Sequence, residues 1–233
     1  MLTIDIITIF PKIFENVIEF GVIKEAFSNN LCRLNIYNLR DFTLDKHKKV
    51  DDRPYGGGPG MIMTAQPIYD AVTFIKSKNK VADKEGQKVL LLSPKGERLT
   101  QAKLKYLSGL KNIIIICGRY EGIDERVTEL VVDEELSIGD YVLTGGEIPA
   151  MVIIDGILRL LPGVVGKSES LECESFENNL LDHPQYTRPP IFKGLKVPDV
   201  LLSGNHVNIE KWRKKKSLDL TKERKPDLFD KKI

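Results

Sequence analysis

The chain has 233 residues, enough for one large domain or two small ones at roughly 100–200 residues each, with 42% hydrophobic and 29% charged residues. Together with 18 Gly and 12 Pro, that balance excludes a disordered chain, a collagen or a coiled coil, and suits a globular protein burying roughly 70–75% of its unfolded surface. Lys and Arg number 35 against 33 Asp and Glu, a net charge of +2.

In chain order, Leu2-Thr3-Ile4-Asp5-Ile6-Ile7 has no basic flank and no small-residue cleavage site. It therefore reads as a first strand and not as a signal peptide, pointing to a cytoplasmic protein. Further strands are expected over 31–39, 88–92, 112–117 and 131–136. Helices are expected over 11–19, with Pro11 at a tolerated early position, over 66–78, over 100–107 behind a Thr100 cap, over 124–130, and over 146–161, where Pro162-Gly163 stops the last of them. Strands alternating with helices argue for an α/β fold with a parallel sheet covered on both faces. The apolar run Ile113-Ile114-Ile115-Ile116-Cys117 falls far short of the roughly 20 residues of a membrane span, so no membrane partner is expected. Residues 163–178 are small and acidic with little periodicity and read as a flexible linker. The chain thus divides into 1–162, the linker 163–178, and a smaller unit over 179–233.

The charge is unevenly spread. From His206 to Ile233 ten Lys and Arg face five acids, a local charge of +5, which leaves 25 bases against 28 acids in residues 1–205. The run Lys211-Trp212-Arg213-Lys214-Lys215-Lys216, holding the only Trp, suits phosphate contacts of a nucleic-acid binder. A solvated helix face explains the charge equally well.

Three cysteines, Cys32, Cys117 and Cys173, with no C-x-x-C, make neither a disulfide framework nor a zinc site. The histidines His47, His183 and His206 are too dispersed for a metal cluster, so no metal-ligating residue is assigned. Gly163-Val164-Val165-Gly166-Lys167-Ser168 ends like a phosphate-binding P-loop, but Leu161 stands where its first glycine belongs and a helix, not a strand, precedes it.

Four glycine-rich loops remain. Asp51-Asp52-Arg53-Pro54-Tyr55-Gly56-Gly57-Gly58-Pro59-Gly60-Met61 has no strand feeding it directly. The other three follow strands: Ser93-Pro94-Lys95-Gly96, Gly118-Arg119-Tyr120-Glu121-Gly122, and Ser137-Ile138-Gly139-Asp140-Tyr141-Val142-Leu143-Thr144-Gly145-Gly146. Ligands of parallel α/β sheets bind at the carboxyl ends of strands, and glycines there let backbone groups approach a planar ligand closely.

These loops, with Asp182-His183-Pro184-Gln185-Tyr186-Thr187-Arg188-Pro189 and Leu201-Leu202-Ser203-Gly204-Asn205-His206 ahead of Trp212-Arg213, closely resemble the bacterial tRNA (guanine-N1)-methyltransferases of the SPOUT class along essentially the whole chain. The resemblance implies an α/β methyltransferase domain with a parallel sheet whose carboxyl half is tied in a deep trefoil knot, which chain topology otherwise avoids, followed after the flexible linker by a small helical tRNA-binding C-terminal domain. It also implies a homodimer, tRNA as partner, S-adenosylmethionine as methyl donor, and methylation of N1 of the guanine 3′ of the anticodon, guanine 37 of the tRNA. Whether Mg²⁺ takes part is not legible in the sequence.

Carried over by position, the donor pocket falls to Leu91, Leu92 and Ser93; to Gly118, Tyr120 and Glu121; to Ile138, Gly139, Asp140, Tyr141, Val142 and Leu143; and to Gly145, Gly146 and Pro149. Guanine N1 must lose its proton, and charge then develops on the O6 side, so the chemistry needs a general base and an electrophilic stabiliser. The family's arginine falls on Arg159. Its base, an aspartate before Ser-Phe, falls on Glu174 before Ser175-Phe176, a departure that keeps the carboxylate but moves it one methylene outward. Asp182, whose counterpart holds the target guanine, is the other candidate base. With His183, Lys214 and Lys215, it makes up the expected substrate-binding set. The alternative is a tRNA- or RNA-binding protein without catalysis.

Overall fold

The computed structural model describes residues 1–15, 19, 21–79, 86–165 and 174–230. They fall into two compact units, Met1–Gly166 and Lys167–Ile233.

The first unit is built on a five-stranded sheet of β1 (Leu2–Thr8), β2 (Cys32–Asn38), β5 (Gln87–Arg98), β6 (Asn112–Cys117) and β7 (Glu134–Ser137), in the order β2-β1-β6-β5-β7. Every pairing in it is parallel. Parallel strands are joined by helices that cross the sheet faces, so a central strand has no wet side; all six residues of β6 are buried.

Side chains alternate across a strand, which sorts the apolar residues into two cores. On one face Ile4, Ile6, Leu90, Leu92, Ile113 and Ile115 pack with Ala26, Leu107, Ile153, Ile154 and Ile157. These last come from α1 (Gly21–Ser28), α3 (Gln101–Ser108) and α5 (Glu147–Leu158). On the other face Ile7, Val89, Leu91, Ile114 and Ile116 pack against α2 (Ala65–Asn79) and α4 (Glu125–Val131). The inward residues of α2, Ile68, Ala71, Val72 and Ile75, follow the i, i+3, i+4, i+7 stripe of a one-faced helix. At Gly156 a Cβ would lie 2.7 Å from Leu104 Cδ1, so glycine there lets α5 press against α3.

Several elements differ from the expectation. Over 11–19 the described residues form only a 3-10 turn, Pro11–Phe14, while 16–18 lie outside them. Helix α1 was not anticipated, although Ile23, Ala26 and Phe27 give it a short inward stripe. Strand β7 starts at Glu134, three residues late, because Val127 and Val131 are buried one turn apart on α4 and hold that segment helical. Strand β5 outruns its expected end, with a register shift in which Leu136 pairs with both Leu92 and Glu97. The first glycine-rich loop does have strands at its base: β3 (Asp51–Asp52) pairs antiparallel with β4 (Ile62–Met63).

In the second unit, β8 (Ile191–Phe192) and β9 (Leu195–Lys196) form a hairpin. Its two turn residues, Lys193 and Gly194, have φ of 48° and 84°, as the tightest hairpin turns require. Helix α6 (Asp199–Leu202) precedes the 19-residue α7 (His206–Arg224) and α8 (Asp227–Asp230). Asn205 caps α7, its side chain accepting from Asn208 N at 3.1 Å. Thr221, fully buried, accepts from Leu181 N at 2.9 Å and so ties the chain ahead of the helix onto it. No helix among the described residues is long and apolar enough to cross a membrane.

Candidate functional site

Strands β6 and β7 flank β5 and end level with the register shift that follows Leu92, so that excursion of β5 and the loops leaving β6 and β7 enclose one space. A cavity of about 360 Å³ lies there. Leu91, Leu92, Ser93, Pro94 and Lys95 wall it from β5; Gly118, Tyr120, Glu121 and Ile123 from β6; Ile138, Gly139, Tyr141, Val142, Leu143, Gly145 and Gly146 from β7; and Pro149 from α5. Of the fifteen residues expected around a donor, the structure brings fourteen to this cavity. Asp140 is not among its lining; its carboxylate turns to pair with Arg98.

Three glycines shape the walls. Gly139 has φ +152°, and a Cβ on it would stand 2.5 Å from the Tyr141 ring. At Gly146 a Cβ would come within 2.8 Å of Cys117 Cα, and the amide of Gly146 donates to Gly118 O at 2.9 Å. Gly118 is different: its Cβ would meet Leu92 O at 3.5 Å, Ile123 Cγ2 at 3.8 Å and Leu91 Cδ1 at 3.9 Å, all at ordinary contact and all on cavity-lining residues. The β3–β4 hairpin docks on the β6 loop through Glu121 N to Met61 O (3.1 Å) and Met63 N to Gly122 O (3.0 Å), which brings Ile62 to the cavity wall.

Arg119, which also lines the cavity, belongs to a charged pair that the sequence reading missed. Glu147, the first residue of α5, is fully buried. One carboxylate oxygen accepts from Arg119 Nε at 2.8 Å and the other from Thr8 Oγ1 at 2.8 Å. Arg119 also donates to Thr144 O at 3.1 Å, and its guanidinium lies 4.6 Å from the centre of the Phe10 ring. A Cβ at Gly145 would strike Arg119 Nε at 2.2 Å, so glycine opens the slot the guanidinium fills. The pair joins the β6 loop, the β7 loop and the end of β1. The only signal for it in the sequence was an acid opening an otherwise apolar helix, Glu147-Ile148-Pro149-Ala150-Met151-Val152. Beside it, burial first and the Glu147 carboxylate second push the Cys117 thiol well above its ordinary pKa. At the N-cap of α4, the Arg126 side chain holds the Asp124 carboxyl below its usual range.

The expected catalytic residues lie in both units. Arg159 is the C-cap of α5, its amide donating to Asp155 O at 3.2 Å. Glu174 and Asp182 stand at the two ends of one closed loop. Ser175 Oγ accepts from Asp182 N at 3.0 Å, and Phe176 N donates to Leu180 O at 2.6 Å. The Asp182 carboxylate accepts from His183 N at 2.7 Å and Gln185 Nε2 at 3.0 Å, with His183 Nδ1 at 2.6 Å. Lys214 and Lys215 are exposed on α7. The linker residues 166–173, Cys173 among them, lie outside the described residues. Among the described residues no group of three or more His, Cys, Asp or Glu is placed to hold a metal ion.

The model of the family described as tRNA (Guanine-1)-methyltransferase TrmD matches residues 2–231. The chain is 51% identical over 226 residues to a protein of Clostridioides difficile (strain 630) named tRNA (guanine-N(1)-)-methyltransferase, covering 97% of this chain and 96% of the relative. Proteins of the same name from Dictyoglomus turgidum (strain DSM 6724 / Z-1310) and Shewanella loihica (strain ATCC BAA-1088 / PV-4) are 52% and 54% identical. These matches cover 99% and 97% of this chain, and 91% and 89% of the relatives. With a match of that length and with glycine loops walling one cavity, the chain belongs to the tRNA (guanine-1)-methyltransferase TrmD family.

Proposed function

We propose that the chain is a cytoplasmic, homodimeric tRNA methyltransferase that moves the methyl group of S-adenosylmethionine to N1 of the guanine 3′ of the anticodon. The single observation that carries this is the cavity beside the β5 excursion at the ends of β6 and β7, where the glycine loops leave backbone groups facing a space of about 360 Å³, within the roughly 300–1,000 Å³ of cofactor sites.

The donor fits the residues present. The opening at Gly118, which a Cβ would enter, suits a flat adenine approached by backbone. Ile138, Gly139, Tyr141, Val142 and Leu143 wall the space where we place it, and Glu121 sits at the wall as well. When bound, the donor supplies an electrophilic methyl on a sulfonium. The protein's own tasks are then to orient the guanine, take its N1 proton and stabilise charge at O6. We assign the proton to Glu174, with Asp182 holding the base, and the charge to Arg159, since a guanidinium stabilises developing negative charge without giving up its own proton. The loop that holds Glu174 near Asp182 supports a shared role at one base.

The trefoil knot and the dimer rest on the family resemblance. The β7 loop is tied at one end to Leu99 N through Ser137 O (2.8 Å) and at the other to Gly118 O through Gly146 N (2.9 Å), which fixes the loop walling the cavity. The lysines of α7 support the second unit as the tRNA-binding part. Incubating the purified chain with labelled donor and unmodified tRNA, then mapping the methylated base, tests the reading. Label at N1 of that guanine is expected. Tight tRNA binding with no transfer would instead leave a binding protein.

A further inference from the structure

The second unit contains a cavity of its own, about 570 Å³ in volume, and of the residues given a role above only His183 lines it. Its chemistry is distinctive. Val197, Leu201 and Ile209 give it an apolar floor, and Tyr186 and His183 supply ring faces. Both rings lean on Trp212, with centroids 6.3 Å from the indole in each case, so they are held in place. Arg188 and Arg213 are in the lining, which holds no carboxylate; the neighbouring Asp182 carboxylate is taken up by His183 and Gln185. A site with ring faces, two guanidinium groups and no acid is complementary to a flat ring that carries a phosphate. Unstacked bases of single-stranded RNA are held in this way, on aromatic faces and arginine planes.

We propose that this cavity holds one unstacked nucleotide of the tRNA, its base against Tyr186 and its phosphate between Arg188 and Arg213. The proposal rests on tRNA being the substrate. The nucleotide is not the methylated guanine, whose N1 must be presented to the donor cavity of the first unit. The site is therefore a second anchoring point, one that holds the tRNA by stacking and charge without taking part in the chemistry.

The test uses the full chain and a set of tRNAs, each with one abasic position in the anticodon loop. Binding is measured for the wild type, Tyr186→Ala and Tyr186→Phe, and S-adenosylhomocysteine affinity by calorimetry reports folding. Loss of one stacked base corresponds to roughly 5- to 150-fold in affinity, so Tyr186→Ala is expected to weaken intact tRNA by that factor, and Tyr186→Phe to stay within about twofold. One abasic tRNA, lacking a base other than the methylated guanine, should bind the wild type equally weakly and lose nothing more with Tyr186→Ala. Equal losses on every tRNA, no loss at all, or coupling to the methylated guanine would overturn the proposal. Because binding is read without chemistry, an absence of methyl transfer by the wild type would count against the proposed function and not against this site.

Discussion

Replacing Arg119 by Met takes the guanidinium from a carboxylate whose side chain is 1% exposed, leaving Glu147 with only the Thr8 hydroxyl. Breaking a buried pair from one side costs about 3–5 kcal/mol, because the remaining charge stays desolvated. Arg119 itself keeps 20% of its side-chain surface exposed, so water can partly replace it, and the lower figure, about 3 kcal/mol, applies. For a chain of this size each kcal/mol moves Tm by about 2–4 °C, giving a fall of roughly 6–12 °C. Adding Glu147→Gln removes the orphaned charge while keeping an acceptor for Thr8. Since a buried neutral amide costs less than a buried charge, about 1–2 kcal/mol should return. Calorimetric melting of the wild type and the two variants decides. A fall below 2 °C for Arg119→Met, or a double variant less stable than the single one, would refute the account of this pair as a buried staple.

Other outcomes follow from the same geometry. Gly118→Ala should fold normally, its Cβ finding ordinary contacts, yet lose roughly tenfold or more in S-adenosylhomocysteine affinity by calorimetry, about 1.4 kcal/mol; undiminished affinity would place the donor elsewhere. In single-turnover methyl transfer, Glu174→Asp should stay active, while Glu174→Gln should lose most of its rate with donor affinity intact; a near wild-type rate for Glu174→Gln with a dead Asp182→Asn would make Asp182 the base. Neutralising Lys214, Lys215 and Lys216 should weaken tRNA binding and flatten its salt dependence by about one unit of slope per lost phosphate contact, whereas an unchanged slope would return the run to a solvated face. Burial pushes the Cys32 thiol from 9.0 up to about 12, and Cys117 is raised as well, so neither should be alkylated in the folded protein at pH 8. Between pH 9 and 12 the unfolded chain loses these protons while the folded one keeps them, so stability should fall as pH rises through that window; denaturant midpoints across it are the check.

Much of the sheet was legible because its strands are β-branched runs of the right length, Ile113-Ile114-Ile115-Ile116 above all, and buried parallel strands carry that composition whatever surrounds them. Strand order was not, since nothing in Leu2–Thr8 says that it pairs with both β2 and β6. The β3–β4 hairpin escaped for a different reason: two-residue strands carry too few side chains to show a period. At the site, the glycines marked the cavity because close backbone approach leaves a mark in residue type. Asp140 was placed there by position alone, and its side chain leaves for Arg98, which position cannot foretell. The Arg119–Glu147 pair spans 28 residues, and its third member, Thr8, lies 139 residues from Glu147, so only the folded chain shows that the three meet.

The register shift in β5 makes a separable part of the molecule. Residues 93–96 leave the sheet after Leu92 and return to it at Glu97, and Leu136 grips the chain on both sides of that excursion, with Leu99 N bonded to Ser137 O just beyond. Gly96 passes so close to β7 that a Cβ would lie 2.4 Å from the Glu135 carbonyl carbon, which pins the returning end, while Ser93, Pro94 and Lys95 face the cavity. The sheet's alignment is thus fixed by residues on either side, and the segment between them behaves as a cassette. Exchanging Ser93, Pro94 or Lys95 at the bench should retune what the cavity admits, while Gly96 and the strands on either side keep their partners.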